Sequence, residues 1–215
     1  MALTVRELQE GIKYWREETC WPTDFHNSFY ERDLPTIQGN GSFDQRWWKR
    51  FHCLLEDWQA TRGCRRTVLD SLAQERFPLL RGTYARVIAP HLGEDIEGVD
   101  WPAIAEFPLL VTEIKPLKSP SPVFTSKFCH FIAPSIFPVV DNEAMGKPFG
   151  KCYEAHFRNS RMEWLATDSQ NRTALADMLA QEAGTPLFTG FPIKNKLVEL
   201  CLIGRNRAKM NPQAI

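Results

Sequence analysis

Ser119-Pro120-Ser121-Pro122-Val123-Phe124-Thr125-Ser126-Lys127-Phe128-Cys129-His130-Phe131-Ile132-Ala133-Pro134-Ser135-Ile136-Phe137-Pro138-Val139-Val140-Asp141 is the stretch on which the reading of this chain turns. Prolines at 116, 120 and 122 forbid a regular helix there and impose a tight connection. From about Val123 to Ile132 the spacing predicts a helix with Phe124, Phe128, Phe131 and Ile132 along one side. At about 100° per residue, Lys127 falls roughly 40° from Phe131, on the rim of that apolar face. Pro134 ends the helix. Phe137-Pro138-Val139-Val140 is then an apolar connector, too short and too proline-bound for another helix. Asp141 stands where it would cap a helix beginning at Asn142.

Helical spacing continues on both sides. Leu8, Ile12 and Trp15 predict an N-terminal helix; Trp47, Phe51, Leu54, Leu55 and Trp58 predict a second over three turns. Val68, Leu69 and Leu72 predict a third, with Thr67 as its N-cap. Leu175, Met178 and Leu179 mark another, and Leu197, Val198, Cys201 and Leu202 the last. Pro108-Leu109-Leu110-Val111-Thr112 reads as a short extended piece. The 15 prolines read as punctuation between helices. No repeat or low-complexity run interrupts the chain. The expected fold is all-α, a single compact unit over 1–215, two-lobed with a cleft between lobes. Its long loop before Trp47 contains Gly39-Asn40-Gly41.

The chain has 215 residues, 43% hydrophobic and 24% charged, an ordinary balance for a globular protein. With 7 Trp and 14 Phe it carries too much apolar surface to remain unfolded. No stretch approaches the roughly 20 apolar residues of a membrane span. Charges at Arg6 and Glu7 sit where a signal peptide would be apolar, so the expected location is cytoplasmic, with no membrane partner. The 6 cysteines never approach closer than 11 positions. That spacing leaves no paired thiolates for a zinc knuckle or an iron–sulfur cluster, and no metal or other cofactor is expected.

Lys and Arg number 26 against 26 acids, so no global basic excess announces a nucleic-acid binder. The charges segregate, however. Residues 91–106 carry five acids and no Lys or Arg; residues 114–140 carry Lys115, Lys118 and Lys127 and no acid. Residues 194–209 carry five bases against Glu199 alone, and residues 41–66 six bases against three acids. Convergence of the basic segments on one face would make a phosphate-binding surface. Each segment taken singly reads more simply as a solvated helix face.

The order of proline-rich hairpin, helix carrying Lys127, and Pro138-Val139-Val140-Asp141 resembles the helix-hairpin-helix DNA glycosylase superfamily, in its 8-oxoguanine-type branch. The resemblance covers roughly residues 112 to 146, with the helix-hairpin-helix region at about 106–133. Two departures stand out. Pro120, Ser121, Pro122 and Thr125 replace the family's Gly-x-Gly, and Lys127 and Asp141 lie 14 residues apart, shorter than the family spacing. What the resemblance implies is a base-flipping DNA glycosylase with Lys127 and Asp141 catalytic, acting as a monomer on duplex DNA, in repair or against modified phage DNA. Lys118, Ser121, Thr125 and Ser126 would meet the backbone, Asn40 would fill the gap in the stack, and Trp48 would serve as an exposed aromatic.

The chemistry suits those two residue types. Breaking an N-glycosidic bond builds positive charge on the sugar, which a carboxylate stabilises best where water is excluded. A neutral lysine can then attack the same carbon and form a Schiff base, permitting strand cleavage. A lysine at its free pKa of about 10.4 is a poor nucleophile at neutral pH, and burial would lower that value. The plainer alternatives are a snorkelling Lys127 and an Asp141 that only caps a helix. A non-catalytic hairpin gripping duplex DNA is the rival binding-module reading, and a helical protein unrelated to DNA is the third.

Overall fold

The N-terminal helix is set by a capping box, in which the amide of Glu7 donates to Thr4 Oγ1 at 3.3 Å and the amide of Thr4 to Glu7 Oε2 at 3.1 Å. It runs Val5–Thr19 (α1) and buries Leu8, Ile12 and Trp15, the spacing seen in the sequence. The structure, a computed structural model, describes residues 1–19, 29–34, 43–115, 122–142, 144–146, 152–183 and 190–210. Among them are eight further α-helices: α2 (Gln45–Asp57), α3 (Arg66–Thr83), α4 (Trp101–Ile104), α5 (Glu106–Thr112), α6 (Pro122–Ile132), α7 (Tyr153–Ala166), α8 (Ser169–Ala183) and α9 (Ile193–Met210). Wider π-type turns occupy Phe29–Asp33 and Tyr84–Ile88. The described residues contain no strand, only an isolated bridge between Leu92 and Glu94, so the fold is all-α. None of their helices is long and apolar enough to cross a membrane.

The two ends of the chain pack together. α1 lies along α9 so closely that a Cβ on Gly11 would overlap the Leu200 carbonyl, and one on Gly204 the Glu7 carbonyl. Arg205 clamps the crossing, pairing with Glu7 at 2.6 Å and with Glu163 of α7 at 2.6 Å. A second clamp centres on Glu97. Its carboxylate meets Lys194 at 2.7 Å, Arg172 at 3.0 Å and the Trp164 indole at 3.1 Å, tying the 91–100 segment to α7, α8 and α9. Lys194 and the Trp164 indole hold the Glu97 carboxyl down to about 2.

Four expectations are corrected. The segment at Pro108 is helical, in α5, because proline is tolerated in a first turn where its missing N–H would be unpaired anyway. Proline also occurs within α3, at exposed Pro78, where the ring faces solvent. Arg65, not Thr67, precedes the first residue of α3; the stripe this helix buries is Leu69, Ala73, Phe77 and Leu80, with Val68 exposed. The basic end of the chain is not a solvated face either. It continues α9 to Met210, with Lys194, Lys196 and Arg205 committed to carboxylates.

α5 and α6 pack against each other, and the Thr112 and Thr125 hydroxyls meet at 3.0 Å between them. The hairpin residues 116–121 lie outside the described residues. α6 is enclosed by aromatic neighbours: Phe128 contacts Phe51 at 4.7 Å, and Phe131 contacts Phe29 at 4.2 Å and Trp58 at 4.7 Å between centroids. From Phe124 to Ile132 every residue is buried. A helix without a solvent face must find a partner for each polar side chain it carries.

Candidate functional site

That requirement builds the site. Ser126 Oγ donates to the Val123 carbonyl at 3.0 Å and accepts from the Val140 amide at 3.0 Å, pinning the apolar connector to α6. Among the described residues no strand neighbours the connector, and side chains satisfy its carbonyls. His130 Nδ1 reaches the Phe137 carbonyl at 2.6 Å, the Tyr153 hydroxyl donates to Pro138 at 3.0 Å, and His156 bonds the Val139 carbonyl. A carbonyl only accepts, so Nδ1 of His130 carries the proton. In the neutral ring Nε2 then accepts from the Tyr30 hydroxyl beside it. Held this way, the connector delivers Asp141 to one position. The Asp141 carboxylate accepts from the Ala144 amide at 3.0 Å and its carbonyl from the Met145 amide at 2.9 Å, as a capping residue should. The described residues it caps, Asn142 and Ala144–Gly146, form a turn; Glu143 and residues 147–151 lie outside the described residues.

Lys127 is not on a solvent rim. It is 7% exposed, because α6 is covered on all sides, and its ammonium ends at the C-terminus of α2. There the chain turns through Gln59 at φ 56°, with the Gln59 amide on the Glu56 carbonyl and the Ala60 amide on that of Leu55, both at 2.8 Å. Lys127 Nζ donates to the Trp58 carbonyl at 2.8 Å; Lys115 Nζ donates to those of Ala60 and Arg62, also at 2.8 Å. The Lys127 ammonium also lies 5.0 Å from the Trp58 ring centroid. Burial pushes the Lys127 amine below the ordinary lysine range, assisted by Arg62 and Lys115 and opposed by Asp141 and Glu199. Asp141 therefore lies within electrostatic reach of Lys127, yet the two form no direct ion pair.

Other expected site residues fare differently. Trp48 is 2% exposed, with its indole N–H donating to Asp70 at 2.7 Å. It leaves the Trp47 stripe only to meet α3, which makes it core and not an exposed aromatic. Thr125 and Ser126 are also buried, their hydroxyls engaged by Thr112, Val123 and Val140, so neither faces a backbone phosphate. Lys118, Ser121 and Asn40 lie outside the described residues.

Glu199 and Lys196 enter the neighbourhood from α9. Lys196 is fully buried, pairs with Glu199 at 2.6 Å and sits 4.0 Å from the Trp15 ring centroid. The one acid in a basic segment was the available sequence signal for Glu199. Nothing in the sequence paired Tyr30 or Trp58 with α6. A separate cavity of about 320 Å³ is lined by Leu34, Leu92, Glu94, Ala133, Ser135 and Gly190 among others, and neither Lys127 nor Asp141 borders it. Among the described residues, no cluster of His, Cys, Asp and Glu could hold a metal ion. No family model, curated protein or solved structure matches the chain.

Proposed function

We propose that this protein is a DNA glycosylase of the two-lobed helix-hairpin-helix type, with Lys127 as nucleophile and Asp141 as the electrostatic partner. One observation carries the reading: an amine held in apolar surroundings by Trp58, pushed toward its neutral form by burial, and within reach of a carboxylate at the end of a braced connector. The packed consecutive helices α5 and α6 are in keeping with the helix-hairpin-helix resemblance.

In the proposed reaction, Asp141 stabilises positive charge growing on the sugar as the C1′–N bond lengthens and its electron pair leaves with the base. The Lys127 lone pair bonds to C1′, the base takes up a proton, and ring opening gives an imine. Loss of the 3′ phosphate by β-elimination then nicks the strand. Because Lys127 is 7% exposed and bonded to Trp58, substrate binding must draw the amine away from the α2 terminus.

The test is borohydride trapping on duplexes bearing an oxidised purine, a bulky modified pyrimidine or a ready-made abasic site. The wild type is expected to form a covalent adduct on the abasic duplex and on the duplex whose base it excises. Lys127→Gln abolishes the adduct. Asp141→Asn slows base removal by a factor on the order of 100 or more but still traps the ready-made abasic site. Base removal without an adduct would make the enzyme monofunctional, with Asp141 activating water. A second reading, Lys127 as a terminator of α2, is favoured by the matching role of Lys115. Under it, no substrate yields base release or adduct, and Lys127→Met changes stability alone.

A further inference from the structure

The cavity of about 320 Å³ lies where the turn after α6 (133–136), the segment 92–94, Leu34 and Gly190 meet. Its size falls in the range of small-molecule sites, about 300–1,000 Å³. Its walls are braced from behind. The Ser135 carbonyl accepts from the Ile96 amide and from Asn195 Nδ2, both at 2.9 Å, and the Pro134 carbonyl accepts from Asn195 Nδ2 at 2.6 Å. Gly93 and Gly190 turn at φ 101° and 90°, each with open space where a Cβ would stand, so bare backbone borders the cavity at both points.

The lining selects by charge. Leu34, Leu92, Ala133, Pro134 and Ile136 offer apolar contact, and Ser135 adds a hydroxyl. Among the described residues that line the cavity, Glu94 alone is charged. Five acids fall between residues 91 and 106, and four of them have a Lys or Arg partner. Asp95 meets Lys194 at 2.7 Å, Glu97 meets Lys194 at 2.7 Å, Asp100 meets Arg161 at 3.1 Å and Glu106 meets Arg86 at 2.6 Å. Glu94 has no such partner among the described residues. It meets the His91 ring at 3.2 Å, and its side chain is 45% exposed. α6 also ends at this cavity, and the C-terminus of a helix carries negative partial charge. Carboxylate and helix end both favour a cation here.

We propose that this cavity binds a small organic cation, an ammonium or amidinium group on an apolar body, with Glu94 as its counter-ion. The apolar walls take the body and the Glu94 carboxylate takes the charged head. An anionic ligand finds no base in the lining to pair with. The inference stands apart from the glycosylase reading, because neither Lys127 nor Asp141 borders the cavity.

The probe is benzamidine, with benzamide as its neutral isostere and benzoate as its anionic one. Each is titrated into ¹⁵N-labelled protein and followed through the amide resonances of Gly93, Glu94, Ser135 and Gly190. Benzamidine is expected to shift these resonances to saturation with a Kd of about 1 mM. Benzamide should bind about tenfold more weakly, and benzoate should leave the resonances in place. Glu94→Gln keeps the size of the side chain and, at an exposed position, should melt with the wild type. It is expected to weaken benzamidine about tenfold, to the level of benzamide, and to leave benzamide itself unaffected. Three results would each overturn the proposal: no saturable shift at these four amides, benzamide binding as tightly as benzamidine, or undiminished benzamidine binding by Glu94→Gln. None of them bears on borohydride trapping, so this site and the glycosylase reading stand or fall separately.

Discussion

His156 shows how much a single buried side chain can govern. It is 3% exposed on α7, donates to the Val139 carbonyl, and burial pulls its pKa down to about 4 from the ordinary 6.5. The folded protein thus keeps the ring neutral, while the unfolded chain takes up a proton once the pH falls below about 6.5. More protons bound by the unfolded state means that stability falls with pH, here from about 6.5 down to about 4, by about 3 kcal/mol in all. Urea unfolding at a series of pH values is expected to show this loss. His156→Gln, which can still donate to Val139, should lose less over the same interval. Equal losses in the two proteins would mean that other groups carry the acid sensitivity.

Among the elements, the crossing of α1 and α9 depends on having no side chain at two positions. Gly204→Ala places a Cβ on the Glu7 carbonyl, and backbone cannot yield as a flexible side chain does. The expected loss is about 1–3 kcal/mol, despite alanine's higher helix propensity. Gly82 supplies the contrast. It lies in the last turn of α3 with open space where a Cβ would stand, so Gly82→Ala is expected to gain about 0.5–1 kcal/mol. Thermal melts of the two variants should move in opposite directions; a Gly204→Ala melt at or above wild type would show that the helices can separate without penalty. The same element scale separates what periodicity discloses from what it does not. Trp47, Phe51 and Leu55 are buried as spaced, since a one-sided stripe dictates a one-sided burial. α6 shows a stripe too, yet is buried all round, because what covers its second side arrives from Tyr30, Trp58 and α7, remote in sequence.

Across the whole molecule, the basic segments do not converge by simple exposure. On α9, Lys194, Lys196 and Arg205 are neutralised within the fold at Asp95, Glu97, Glu199, Glu7 and Glu163. The bases of α2 are different: Arg46 and Lys49 lie exposed on its outer side. If DNA is the partner, these are the charges available to its phosphates. Arg46→Ala with Lys49→Ala is expected to weaken duplex binding across all sequences and to lessen its salt slope by about 1 for each phosphate that is no longer neutralised. Gel-shift titrations over a range of salt provide the measurement; an unchanged slope would place the DNA elsewhere or nowhere.

Local rules, read from the residues alone, determined the helical class, the buried stripes of α1, α2 and α9, the start of α6 at its proline-rich edge, and the capping by Asp141, because each depends on spacing within a turn or two of chain. Tertiary structure decided the environment of every one of those side chains. It buried Trp48 against Asp70, took Thr125 and Ser126 away from solvent, and set Lys127 on the end of α2 with Glu199 nearby. Burial and electrostatic environment are sums over neighbours contributed by distant segments, and a lysine's reactivity follows from that sum and not from the residues beside it in the chain.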